Sequence, residues 1–339
     1  MIQNPRCKNS GLAILGLVST LCTVPACAES APNLDLTPLL TTSLDPSNYV
    51  VSSSTVFDGV ARLRINSNRG CSGALVGGGS YILTAAHCVA NQSITATSVS
   101  ATFSAASGSP TVSVLSAQSS IFLPPGWTGD FKDGADLALI KLDSPVLDIS
   151  SYDIVSTGLG LPSMVTLAGY GRPGTGSTGS SAGFGTLRVG TNTYDGEWDS
   201  RIVGGSPYMF DFDDGSLIRN VTGGPTPTQR GGIVSESMIA SGDSGGPSFI
   251  ELAGGQLALV GVHSFGGTVG QPEDLDDILN ASFGELGGDS NVPLYANWIN
   301  SHIAVIPEPQ TYTLLMFGVL FVVAVNAKRK GRRMASLTC

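Results

Sequence analysis

The sequence is poor in charge, and poorest in positive charge. Charged residues make up 13% of its 339 positions, with 17 Lys and Arg against 26 Asp and Glu. Seven of the basic residues (Arg6, Lys8, Lys328, Arg329, Lys330, Arg332, Arg333) lie in residues 1–28 and 328–339, which hold no acid, so 10 face all 26 acids in between, a net charge of −16. Such a body offers no basic surface for phosphates, which argues against nucleic acid as a partner. Cysteine is scarce as well. Of 6, Cys7, Cys22 and Cys27 fall in the leader or at its end and Cys339 closes the tail, leaving Cys71 and Cys88. Two thiols with only His87 nearby cannot fill a tetrahedral zinc site, so no metal and no cofactor is expected there. No internal repeat is visible. No long amphipathic helical pattern precedes Tyr295-Ala296-Asn297-Trp298-Ile299.

The ends carry what the body lacks. Residues 1–28 read as a secretory signal: Arg6 and Lys8, an apolar run from Gly11 to Val24, then the small-residue site Ala26-Cys27-Ala28. Val24-Pro25-Ala26 is a poor context for lipid attachment at Cys27. In an exported chain the leftover pair Cys71 and Cys88 reads as one disulfide. Residues 304–339 hold Pro307-Glu308-Pro309, an apolar stretch over 312–327 and the basic cluster from Lys328 to Arg333. An apolar segment with a basic stop predicts a short membrane helix whose basic end faces the cytoplasm. The tripeptide, helix and cluster together resemble the PEP-CTERM sorting signal of Gram-negative bacteria. That resemblance implies an exosortase-type sorting enzyme as partner, removal of the tail, and a cell-surface or secreted product; a permanent inner-membrane anchor is the alternative.

Between the ends, residues 29–57 are rich in Ser, Thr, Pro and Asp and read as a linker or propeptide. From Val60 onward the pattern is of short strands. Ala61, Leu63 and Ile65 alternate onto one face, and Val165–Gly169 and Leu257–Val262 are apolar runs bounded by turn residues. The 44 Gly and 19 Pro suit many turns, so the body reads as all-β, sandwich or barrel, long enough for two packed units.

Three motifs carry chemistry: Leu83-Thr84-Ala85-Ala86-His87-Cys88, Asp136-Leu137-Ala138-Leu139-Ile140-Lys141-Leu142, and Ser241-Gly242-Asp243-Ser244-Gly245-Gly246-Pro247. A serine hydroxyl needs an imidazole to take its proton, and a carboxylate to fix that imidazole's tautomer and orientation. The boxes and their order, His–Asp–Ser, resemble the chymotrypsin/trypsin-type serine proteases over roughly residues 58–303. The resemblance implies two six-stranded antiparallel β-barrels with a short C-terminal helix, the first carrying His87 and Asp136 and the second Ser244. It implies an endopeptidase working through an acyl-enzyme on protein or peptide substrates. Gly242 and Ser244 would supply the oxyanion-hole amides, Cys71 and Cys88 would pair beside His87, and Ser264-Phe265-Gly266 would pair its backbone with substrate. Met238 falls at the base of the specificity pocket and favours an apolar P1 residue; a slip of two positions would place Glu236 there instead.

Other readings compete. Asp133 is the rival acid to Asp136 and reads as a solvated loop residue. Gly242-x-Ser244-x-Gly246 also fits the nucleophile elbow of an α/β-hydrolase esterase, with His263 and acids such as Asp274 beyond it, but strand–helix alternation is absent. His263 reads as structural and His302 as a surface residue. Asp211-Phe212-Asp213-Asp214-Gly215 offers hard oxygen ligands without EF-hand spacing and reads as a solvated acidic loop. Arg201-Ile202-Val203-Gly204-Gly205 looks like an activation site but lies between the acid and the serine. No such site precedes Val60, so Asp243 is left needing another partner if buried. A catalytically inactive surface binding module on the same fold is the alternative function.

Overall fold

The computed structural model describes residues 39–42, 45–51, 56–103, 112–115, 120–198, 206–225, 236–303 and 321. The segments read as signal peptide and as sorting tail (other than Phe321), and Arg201–Gly205, therefore lie outside the described residues. Among the described residues no helix is long and apolar enough to cross a membrane.

Among the described residues, nineteen strands and the helices α1 and α2 follow one another, with Phe321 also helical. The first part carries β1 (Leu39–Thr42), β2 (Val60–Ile65), β3 (Arg69–Val76), β4 (Tyr81–Thr84), α1 (Ala86–Val89), β5 (Val99–Phe103), β6 (Val112–Leu115), β7 (Ile121–Phe122) and β8 (Ala138–Lys141). The second carries β9 (Asp153–Ile154), β10 (Ser163–Gly169), β11 (Gly174–Thr175), β12 (Gly179–Ser180), β13 (Arg188–Tyr194), β14 (Gly196–Glu197), β15 (Tyr208–Asp211), β16 (Ser237–Ala240), β17 (Pro247–Glu251), β18 (Leu257–Gly267), β19 (Leu286–Asn291) and α2 (Val292–Ile303).

Seven strands form one sheet in the order β6-β5-β2-β3-β4-β8-β7. Its alternation is the one the sequence predicts: Ala61, Leu63 and Ile65 are buried while Arg64 is exposed. Full burial of a side chain such as Leu63 or Ile82 stabilises the fold by roughly 1.5–3 kcal/mol. Gly73 of β3 has no room for a side chain, since a Cβ there would lie 2.6 Å from Ile82 Cγ2.

A second sheet of eight strands runs β13-β10-β17-β18-β19-β15-β14, with β9 added in parallel to β18. Among the described residues each of these sheets has six strands longer than two residues, as expected, and two-residue pairings at β7, β9 and β14 extend the ladders to seven and eight. A third sheet, β12-β11-β1-β16, has no counterpart in the sequence reading. It draws β1 from the segment read as linker or propeptide. The larger core joins the first sheet to Phe249, Leu259 and Val262 of the second and to Ile299 of α2. Helix α2 buries Val292, Tyr295, Ala296 and Ile299, a spacing of three and four that makes one apolar stripe. Tyr295 Oη donates to the Gly134 carbonyl at 3.0 Å, tying the helix to the loop before β8.

Candidate active site

Strand register brings the first two site residues together. β4 and β8 pair antiparallel with Thr84 opposite Ala138, so the residues just after β4 and just before β8 emerge side by side. Those residues are His87, on the single turn α1, and Asp136. The His87 amide donates to Asp136 Oδ1 at 2.8 Å, and His87 Nδ1 lies 2.6 Å from Asp136 Oδ2. Two serines from the second sheet complete the acid's shell. Ser264 Oγ donates to Asp136 Oδ2 at 2.5 Å, and Ser290 Oγ to the Asp136 carbonyl at 2.9 Å. Asp136 is fully buried, whereas the His87 side chain keeps 11% exposure. An ionised carboxylate only accepts, so Nδ1 carries the imidazole proton and Nε2 is the basic nitrogen. That Nε2 has no hydrogen-bond partner among the described residues, so a bond to Ser244 Oγ is not formed.

The serine box forms a tight turn between β16 and β17. Gly242 and Gly245 take φ of +103° and +82°, conformations that side chains other than glycine rarely adopt. The amides of Asp243, Gly245 and Gly246 donate to the carbonyls of Ala240, His263 and Asp243 at 2.7–2.8 Å. The amides of Gly242 and Ser244 have no backbone acceptor among the described residues. The turn is clamped to the first sheet: Ser72 N–H donates to the Ser244 carbonyl at 2.8 Å and Ser72 Oγ to the Gly242 carbonyl at 2.9 Å. A Cβ on Gly245 would lie 2.0 Å from Thr84 Oγ1 and 2.9 Å from the Ala85 amide. The serine turn therefore sits against the residues that lead into His87. The disulfide between Cys71 and Cys88 is formed, and Cys88 Sγ lies 3.6 Å from the Ser244 carbonyl oxygen.

Asp243, left without a partner by the sequence, finds backbone ones. Its carboxylate accepts from Gly171 N–H at 2.8 Å and from Ala240 N–H at 3.1 Å. Burial pushes its pKa up to about 7, against the opposing pull of His263, the Gly171 bond and Arg188.

The expected specificity residues lie deeper than the sequence suggests. Met238 and Phe265 are fully buried, and Phe265 stacks on Phe131 at 5.7 Å between ring centres and meets Trp198 edge-on. Ser264 is committed to Asp136. The edge of β18 opposite β19 has no strand partner from Ser264 to Gly266 among the described residues, which leaves backbone there for an extended peptide. Phe184 sits over the serine turn, since a Cβ on Gly242 would lie 2.6 Å from its ring.

Two sequence readings are corrected. Asp211 and Asp213 are not solvated: they are 3% and 1% exposed, and of the three acids in that run only Asp214 faces water. β15 carries Asp211 into the interior, and the chain then turns back so that the Asp213 amide donates to Glu236 Oε2 at 2.7 Å. One carboxylate oxygen each from Asp211, Asp213 and Glu236 lies within 4.8 Å of the others. Burial, reinforced by the neighbouring acids, holds Glu236 up to about 9, so near neutrality it carries a proton. His302 is likewise half-buried, packed on Phe122 and Trp298.

Asp133 behaves as read, exposed and accepting from Thr128 Oγ1. His263 is buried as a structural residue, but its carboxylate is Asp289 at 3.1 Å rather than Asp274, which accepts from Thr268 instead. Nothing in the local sequence around Asp289 marks it. Tyr194 and Ser248 both donate to it at 2.5 Å.

Comparison with protein families matches residues 52–278 to trypsin. The chain belongs to the trypsin family. No curated protein matches it. As a trypsin-family domain it is of the serine-protease type, and its substrates are peptides.

Proposed function

We propose that this trypsin-family chain is an exported serine endopeptidase that hydrolyses peptide bonds through an acyl-enzyme. Ser244 Oγ attacks the scissile carbonyl, His87 Nε2 takes its proton and returns it to the leaving amine, and Asp136 orients His87. The Gly242 and Ser244 amides hold the developing oxyanion. The observation that carries the reading is the Asp136–His87 pair, held from both sheets and lying against the serine turn. The unmade Nε2–Oγ bond fits an enzyme without substrate, in which catalytic hydrogen bonds run long and tighten in the complex. The backbone of Ser264-Phe265-Gly266 pairs with the substrate strand, and the resemblance, which puts Met238 at the base of the specificity pocket, supports an apolar P1 side chain. The sequence ends supply the export route: cleavage after Ala28, then recognition of residues 304–339 by an exosortase-type enzyme that delivers the product to the cell surface.

A serine-directed fluorophosphonate tests the reading. It labels Ser244 in the wild-type protein and fails to label His87→Ala. Absence of labelling in the folded mature protein, or casein hydrolysis unchanged in Ser244→Ala, sinks it in favour of an inactive binding module.

A further inference from the structure

β1 lies upstream of the trypsin match at residues 52–278, yet it reaches the serine turn. It runs antiparallel to β16 with Leu39 opposite Ala240, Leu40 opposite Ile239, Thr41 opposite Met238 and Thr42 opposite Ser237. Among the described residues β1 is the only strand that pairs with β16. The opposite flank of β16 is met by side chains, with Asn192 Nδ2 donating to the Ser237 carbonyl at 3.0 Å. A strand whose ladder is removed leaves backbone donors and acceptors unpaired in a buried place, so β16 depends on β1 for its position. β1 is itself anchored on its far edge, where the Gly176 amide donates to the Thr42 carbonyl at 3.0 Å.

From β16 the contacts run directly to Ser244. Ala240 grips Asp243 twice: its amide donates to Asp243 Oδ2 at 3.1 Å, and its carbonyl accepts from the Asp243 amide at 2.8 Å. Asp243 sits between Gly242 and Ser244, whose amides carry the oxyanion role. We infer that β1 is a positioning element for this turn, an uncut strand that sets β16, through it Ala240 and Asp243, and so the aim of the two amides. The inference rests on the serine-endopeptidase reading. It accounts for the missing activation site before Val60: the carboxylate before the nucleophile is satisfied by backbone amides, and the strand that steadies it stays attached to the domain. Residues 39–42 are thus part of the working enzyme rather than a segment to be discarded.

Strand geometry selects the test. The Thr42 carbonyl faces β11, so alternation turns Thr41 toward β16. In the full chain, Thr41→Pro removes a donor to β16, while Thr41→Ala keeps it. Hydrogen exchange by mass spectrometry should show the amides of residues 237–240 protected in wild type and Thr41→Ala, and fast-exchanging in Thr41→Pro, with β2–β5 protected in all three. On a peptide substrate kcat should fall at least 100-fold in Thr41→Pro, the scale of losing one oxyanion donor, with a smaller change in KM. A synthetic peptide of residues 36–44 should restore kcat saturably. Protected 237–240 amides with unchanged kcat in Thr41→Pro overturn the inference, as does fast exchange of those amides in wild type. Should Thr41→Pro lose protection across β2–β5 as well, Leu39→Pro, on the same edge two residues away, is judged by the same criteria. An inactive wild type with the expected exchange pattern would count against the endopeptidase reading and leave the strand's role standing.

Discussion

The molecule contains two histidine–aspartate pairs of nearly the same chemistry, and they differ in what surrounds them. His87 Nδ1 meets Asp136, which also accepts from Ser264; His263 Nδ1 meets Asp289, which also accepts from Ser248 and Tyr194. In both, the imidazole Nε2 lacks a hydrogen-bond partner among the described residues. The first pair lies beside the serine turn with the imidazole 11% exposed, while the second is sealed at 0% for both members. The lesson is that an oriented imidazole is not in itself a catalyst. On the function proposed above, access to substrate and an adjacent serine make the His87 pair one, whereas the sealed His263 pair braces a core.

The sharpest way to test this contrast is at the nucleophile. Ser244→Ala should lower kcat by roughly a million-fold with the melting temperature nearly unchanged, by analogy with the collective loss seen in serine-protease triads. Next, Asp136→Asn should keep the geometry but favour the wrong imidazole tautomer, costing roughly 10⁴ in kcat. The counterpart Asp289→Ala should do the reverse. It strands a buried imidazole and two hydroxyls, so a loss of about 3–5 kcal/mol in denaturant unfolding is expected, with kcat per folded molecule altered little. A large drop in kcat at full stability would erase the distinction between the pairs.

Smaller effects sharpen the contrast between the sheets. Replacing both Cys71 and Cys88 by Ala removes the disulfide that spans 17 positions in the first sheet and should cost about 3 kcal/mol of stability, read by urea unfolding. At the start of β16, in the third sheet, the matching weakness is a buried carboxyl. Glu236, held up to about 9 when folded against an ordinary value of 4.5, binds a proton in the native state that the unfolded chain has released. Stability therefore falls as pH rises between those two values, and Asp243, raised to about 7, adds the same sign below neutrality. Glu236→Gln should raise the melting temperature at pH 8 and leave it nearly unchanged at pH 4. An equal shift at both values would contradict the protonated carboxyl.

The sequence alone determined the chemistry-bearing boxes, because each is a local device: a strand end running into His87, an acid before an apolar strand, glycines allowing the turn at Ser244. It also marked Cys71 and Cys88 as a pair, and the alternation of Ala61, Leu63 and Ile65 as a buried face. Tertiary structure alone decided what depends on segments far apart in the chain. It placed Ser264 and Ser290 on Asp136, gave Asp243 its amides, buried Asp211 and Asp213 beside Glu236, enclosed Phe265 between Phe131 and Trp198, and laid Leu39–Thr42 along β16. The physical reason is that side-chain type and spacing specify local backbone geometry, whereas burial and strand partnership are set by long-range packing. That packing can draw an acidic run into the interior, or lay part of a segment read as linker along a strand, against their composition.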